Sequence, residues 1–202
     1  MLARIKSSLE YQTIFLAAAA LISFLICRSV HLIPQLRVSL FAAESGVLAG
    51  IGWTAITFLF YGAGKRLRPA AFSALLRQRS AELKEQSPFA LFGAALTAGI
   101  GEELLFRGCV FGLLLRQSFW LAFAVNAALT GAAYFRRSSA IPVVLLRMSE
   151  ATFYGIFYFF NKSLFAVGLA HFIVEAGEGI FLRTWQGRFR LGFMGRARGR
   201  PL

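Results

Sequence analysis

Glu102, Glu103 and Arg107 stand together in the run Gly99-Ile100-Gly101-Glu102-Glu103-Leu104-Leu105-Phe106-Arg107-Gly108. On a helix, Glu103 and Arg107 share a face one turn apart and can pair. Glu102 points about 100° away from its neighbour. The pair reads as a clamp whose charges neutralise each other, and Glu102 as the carboxylate left facing a cavity. Further along, His171, Glu175 and Glu178 fall on one stripe of a second helix. A carboxylate and an imidazole brought together can orient and deprotonate a water, which is the chemistry of hydrolysis. No His-Glu-x-x-His run is present, so no metal is expected.

The elements that must position these groups are membrane spans. The chain is 57% hydrophobic and only 15% charged, where a soluble domain carries roughly a quarter charged residues. Its apolar residues lie in long blocks, and about 20 are needed to cross the hydrocarbon. Six blocks qualify, at residues 11–27, 40–64, 88–115, 119–135, 140–160 and 163–182, with the third expected to tilt or break near Gly101. The expected fold is an all-α polytopic transmembrane bundle, one integral membrane domain over residues 1–202. Ionisable groups inside spans are costly and usually mark function. Glu44, Glu102, Glu103, Glu150, Glu175 and Glu178 lie in apolar blocks, as do Arg107, Arg147 and His171. So many call for a shared polar cavity, expected between the third, fourth and sixth spans.

The net charge of +13 invites a nucleic-acid reading. The distribution excludes it, because most basic residues sit in short segments between apolar blocks. With the N-terminus in the cytoplasm, sixteen Lys and Arg fall inside and four outside, the remaining two lying within spans. That bias predicts both termini in the cytoplasm and a location in the inner (plasma) membrane of a bacterium. Residues 65–87 form the one long loop, cytoplasmic and amphipathic. Phe72, Leu75 and Leu76 among basic residues there fit either an interfacial helix or a solvated loop. The Arg-rich tail, residues 187–202, reads as an anchor to anionic lipid. Cys27 is flanked by Ile26 and Arg28, which suits neither a cleavage site nor lipidation, so the first block is expected to stay as an anchor. Cys27 and Cys109 read as small buried hydrophobes.

The run GEELLFRG, with Glu102-Glu103-x-x-x-Arg107, resembles the first motif of the CAAX protease and bacteriocin-processing family, also called the Abi family. Members are glutamic-type intramembrane proteases. The stretch from Phe153-Tyr154-Gly155 through Ser163-Leu164 to Ala170-His171-Phe172 resembles the family's closing region, which ends in His-x-x-x-Asn. The resemblance covers residues 88–182. It implies that Glu102 and His171 activate the attacking water, and that the middle-motif His and final Asn stabilise the oxyanion. Here Thr130 and Tyr134 stand in the middle motif, Phe-x-x-x-His, and Glu175 replaces the Asn. Tyr134 keeps a hydroxyl donor; Glu175 donates only when protonated.

The resemblance therefore implies an intramembrane endopeptidase acting on a membrane-anchored or C-terminally sorted peptide, with no organic cofactor. The departures at Tyr134 and Glu175 keep open a non-catalytic relative, acting as a scaffold, immunity factor or maturation partner. A third class, a transporter with Glu150, Glu175 and Glu178 as a proton relay, would show glutamate-dependent proton flux in liposomes.

Overall fold

A computed structural model describes residues 36–84, 86–135 and 141–188, with isolated positions at 14, 17, 18, 21, 23 and 25. Most of the expected first span therefore lies outside the described residues, as do Arg136, Arg137 and the tail from residue 189 onward. Among the described residues from 40 onward, every regular element is a helix: α1 (Leu40–Leu67), α2 (Pro69–Lys84), α3 (Pro88–Leu115), α4 (Phe119–Phe135), α5 (Ile141–Asn161) and α6 (Leu164–Arg188).

Serines begin four of them, each offering its hydroxyl to an amide that has no partner inside the helix. Ser39 accepts from Ala42 N and Ser87 from Ala90 N, both at 3.1 Å. Ser118 and Ser163 do the same for α4 and α6. Pro88 at the first turn of α3 leaves no donor unsatisfied. α1, α3, α5 and residues Leu164–Thr184 of α6 are long and apolar enough to cross a membrane. α4 is apolar but has 17 residues. The chain is a helical membrane bundle. Leu48, Leu59, Phe89, Trp120 and Phe160 are exposed on its flanks, where lipid tails are as apolar as the side chains.

α6 is the central helix, in contact with α1, α2, α3 and α5. Between apolar helices in lipid, close backbone approach replaces hydrophobic burial as the source of attraction. At Gly50 an added Cβ would stand 2.9 Å from the Ala170 carbonyl oxygen, and at Gly99 2.7 Å from that of Gly168. The Gly99 contact draws α3 against α6 just before Glu102 and Glu103, and just before His171 on the facing strand of contacts.

Two expectations change in detail. α3 does not break near Gly101. It runs through and widens to π-helical hydrogen bonding over Leu104–Phe111, a local rewinding often found at functional sites. Of the two readings of the segment after Lys65, the structure has the helix, α2, and packs it into the bundle instead of leaving it at the interface. Phe72, Leu76 and Ser80, spaced one turn apart, are buried. Phe72 and Leu76 join Tyr61, Leu146 and Leu182 in one apolar cluster.

Candidate active site

The π-helical turn of α3 sets Arg107 over Glu103, where Nη1 donates to Oε1 at 3.0 Å with both side chains buried. Arg107 Nη2 also donates to the Ala151 carbonyl of α5 at 3.1 Å. The same carbonyl accepts from Asn126 Nδ2 of α4 at 3.0 Å. One main-chain oxygen thus ties three helices together. A buried carbonyl with two charged or amide donors is well satisfied.

Glu103 has a second partner that the expected clamp did not include. Its Oε1 lies 2.7 Å from His171 Nδ1. A carboxylate on Nδ1 fixes the ring and its tautomer, and leaves Nε2 as the chemically active nitrogen. His171 Nε2 faces Glu102 Oε2 and Glu175 Oε1, each at 3.9 Å. Those separations are too long for direct hydrogen bonds. Each is a separation that a bridging water can span. Tyr154 of α5 forms the wall, its ring stacked on the imidazole with centroids 5.0 Å apart. Glu102 and Glu175 are the more open carboxylates, with side chains 15% and 24% exposed, while Glu103 and His171 are sealed.

Below this group lies an ion-pair cluster. Arg147 of α5 donates from Nη1 to Glu150 Oε2 at 2.6 Å and to Glu175 Oε1 at 2.9 Å. Its Nη2 donates to Glu178 Oε2. Glu178 also accepts from Tyr61 Oη at 2.7 Å and pairs with Arg79 of α2 at 3.4 Å. Burial works against the charge of Arg79, but Glu178 beside it raises the guanidinium's pKa, so Arg79 keeps its charge. The Tyr134 ring lies 5.0 Å beneath the Arg147 guanidinium.

Glu102, Glu103, Arg107, His171 and Glu175, named from sequence, thus come together where α3 meets α6. Tyr134 reaches the group through Arg147. The fifth span, left out of the expected cavity, supplies Arg147, Glu150, Tyr154 and the Ala151 carbonyl. The signal was present: positions 147, 150, 151 and 154 form one helical stripe, and all four are buried. Glu44 is exposed on α1 and is not among the converging acids. Glu175, the position that the resemblance gives to an oxyanion donor, is held by Arg147 through Oε1. Glu150, His171 and Glu175 offer ligand atoms within 4.8 Å of one another. The Arg147 guanidinium already bridges the two carboxylates of that set, filling the place a cation would take.

Paired glutamates and a carboxylate-held histidine thus stand at the centre of a helical membrane bundle. Over residues 84–177 the chain matches the family described as type II CAAX prenyl endopeptidase Rce1-like. The matched region spans α3, α4, α5 and α6 as far as Gly177. No curated protein and no solved structure matches the chain.

Proposed function

We infer that the chain is an intramembrane endopeptidase, cutting a membrane-anchored or C-terminally sorted peptide with a water activated by Glu102 and His171. The single observation that carries this reading is the arrangement of His171: Nδ1 is held by Glu103 at 2.7 Å, and Nε2 faces Glu102 across 3.9 Å. Glu102 or Nε2 takes a proton from the water as its oxygen bonds to the peptide carbonyl carbon. The tetrahedral species collapses with cleavage of the C–N bond, and the proton passes to the leaving amine. Arg107 keeps Glu103 in place, and Glu103 keeps the ring in place.

An apolar groove of about 200 Å³ lies between the start of α3 and the later turns of α6, lined by Leu91, Phe92, Ala176 and Ile180. It supports a substrate that carries an apolar anchor. Arg183 at its rim and the basic α2 segment suit anionic lipid at the cytoplasmic leaflet. The charge bias of the loops supports an inner-membrane protein with both termini in the cytoplasm.

One observation favours the second reading, a non-catalytic family member that holds a peptide. Tyr134 and Glu175, at the positions the family resemblance gives to oxyanion stabilisation, are both engaged by Arg147. The deciding experiment uses the purified chain in liposomes with a fluorogenic farnesylated peptide ending in a CAAX sequence. Cleavage by wild type and none by Glu102→Gln supports the peptidase. Saturable binding without cleavage would replace it with the scaffold.

A further inference from the structure

Arg147 is the most heavily engaged side chain of the bundle, and the mechanism above does not use it. Its guanidinium meets Glu150, Glu175 and Glu178 and lies over Tyr134. Stability alone is a weak reason for such a cluster. Each buried charge costs several kcal/mol of desolvation, and apolar replacements of buried pairs are often neutral or better. In lipid an apolar span would be easier still to insert.

The geometry gives a better reason. The oxygen of Glu175 that Arg147 Nη1 holds at 2.9 Å is Oε1, the same atom that faces His171 Nε2 at 3.9 Å. Arg147 therefore sets where that oxygen stands relative to the imidazole. Through Glu150 it reaches the ring by a second route. Glu150 Oε1 accepts from Tyr154 Oη at 3.0 Å, and the Tyr154 ring stacks on His171. Glu178, itself held by Tyr61 and Arg79, takes the other end of the guanidinium, Nη2, away from the Nη1 that holds Glu175. A planar fork can address several carboxylates at set angles, whereas a lysine ammonium is a point charge on a flexible stem.

We propose that Arg147 is a positioning residue of the hydrolytic site: by fixing Glu175 Oε1 opposite His171 Nε2, it completes with Glu102 a three-sided seat for the attacking water. The proposal rests on the hydrolytic reading. It adds that the side chain at position 175 acts on the water, through the oxygen that Arg147 holds, and not on the oxyanion.

The test combines turnover with a direct view of the histidine. The full chain in liposomes is assayed on the farnesylated CAAX peptide. In parallel, ¹⁵N-histidine protein is observed by NMR in detergent; the chain has only His31 and His171, and His31→Gln removes the other signal. Arg147→Lys keeps a cation, and is expected to lower kcat about 30-fold with KM nearly unchanged, and to move the His171 Nε2 resonance. Glu178→Gln removes another partner of the same guanidinium without touching His171. It is expected to lower the melting temperature while keeping kcat within about threefold and Nε2 in place. The double variant Arg147→Lys/Glu175→Gln should be no slower than Arg147→Lys alone. Should Arg147→Lys fail to fold, Glu175→Gln severs the link from its other end and carries the same expected loss and shift. An Nε2 resonance unmoved by these changes overturns the proposal, whatever the cleavage. Absence of wild-type cleavage, with a resonance that Arg147→Lys moves and Glu178→Gln does not, overturns the hydrolytic reading and leaves the hold on Glu175 standing.

Discussion

Glu103 and His171, 68 residues apart in the chain, meet at 2.7 Å between Oε1 and Nδ1. The same carboxylate oxygen accepts from Arg107 at 3.0 Å, so one buried atom joins the clamp on α3 to the imidazole on α6. Glu103 thereby serves both the clamp and the imidazole, while Glu102, one position earlier, is the more open carboxylate.

Removing either partner of the clamp leaves a buried charge uncompensated. Glu103→Gln and Arg107→Ala are each expected to destabilise the bundle by about 3 kcal/mol or more, seen as lower melting temperature and lower folded yield in detergent. Glu102→Gln, at the more open position, should leave both nearly unchanged. Equal loss for all three would show that the two glutamates do not divide their roles in this way.

The meeting of α3 and α6 depends on Gly99. A Cβ there would stand 2.7 Å from the Gly168 carbonyl oxygen and 3.1 Å from Phe172 N, both main-chain atoms that cannot step aside. Gly99→Val is expected to push the helices apart, lowering thermal stability and abolishing cleavage together. Gly93→Ala, on the same helix with open space around it, should be neutral or slightly stabilising. Thermal-shift and cleavage assays on the two variants check this; a Gly99→Val protein of full activity would contradict the packing.

Orientation is tested by reporter fusions. A fusion after Gln86, in the turn between α2 and α3, is expected to report the cytoplasm. One at Lys162, between α5 and α6, is expected to report the outside. Reversal at both sites would overturn the orientation drawn from the distribution of Lys and Arg.

Much of the architecture was legible because span length and caps are local properties. The blocks expected at residues 88–115 and 119–135 coincide with α3 and α4, and Ser87 and Ser118 mark their starts. The stripe of His171, Glu175 and Glu178 followed from helical spacing alone. What spacing within one helix cannot give is the choice of partner across helices. Glu175 pairs with Arg147 of α5, and Glu103 adds His171 to Arg107, because of how α5 and α6 are rotated against each other and how α3 rewinds after Glu103. The depth of α2 was hidden for the same reason. Phe72 and Leu76 look alike on a lipid surface and in a helix packed on Tyr61 and Leu182.

The most direct test of the central claim, that Glu102 and His171 act on one water, is a double-mutant cycle on cleavage of the farnesylated CAAX peptide in liposomes. Glu102→Gln and His171→Ala should each abolish turnover in folded protein, and the double variant should be no worse than either alone, as for groups that act as a unit. Cleavage that survives the loss of both residues would contradict the account.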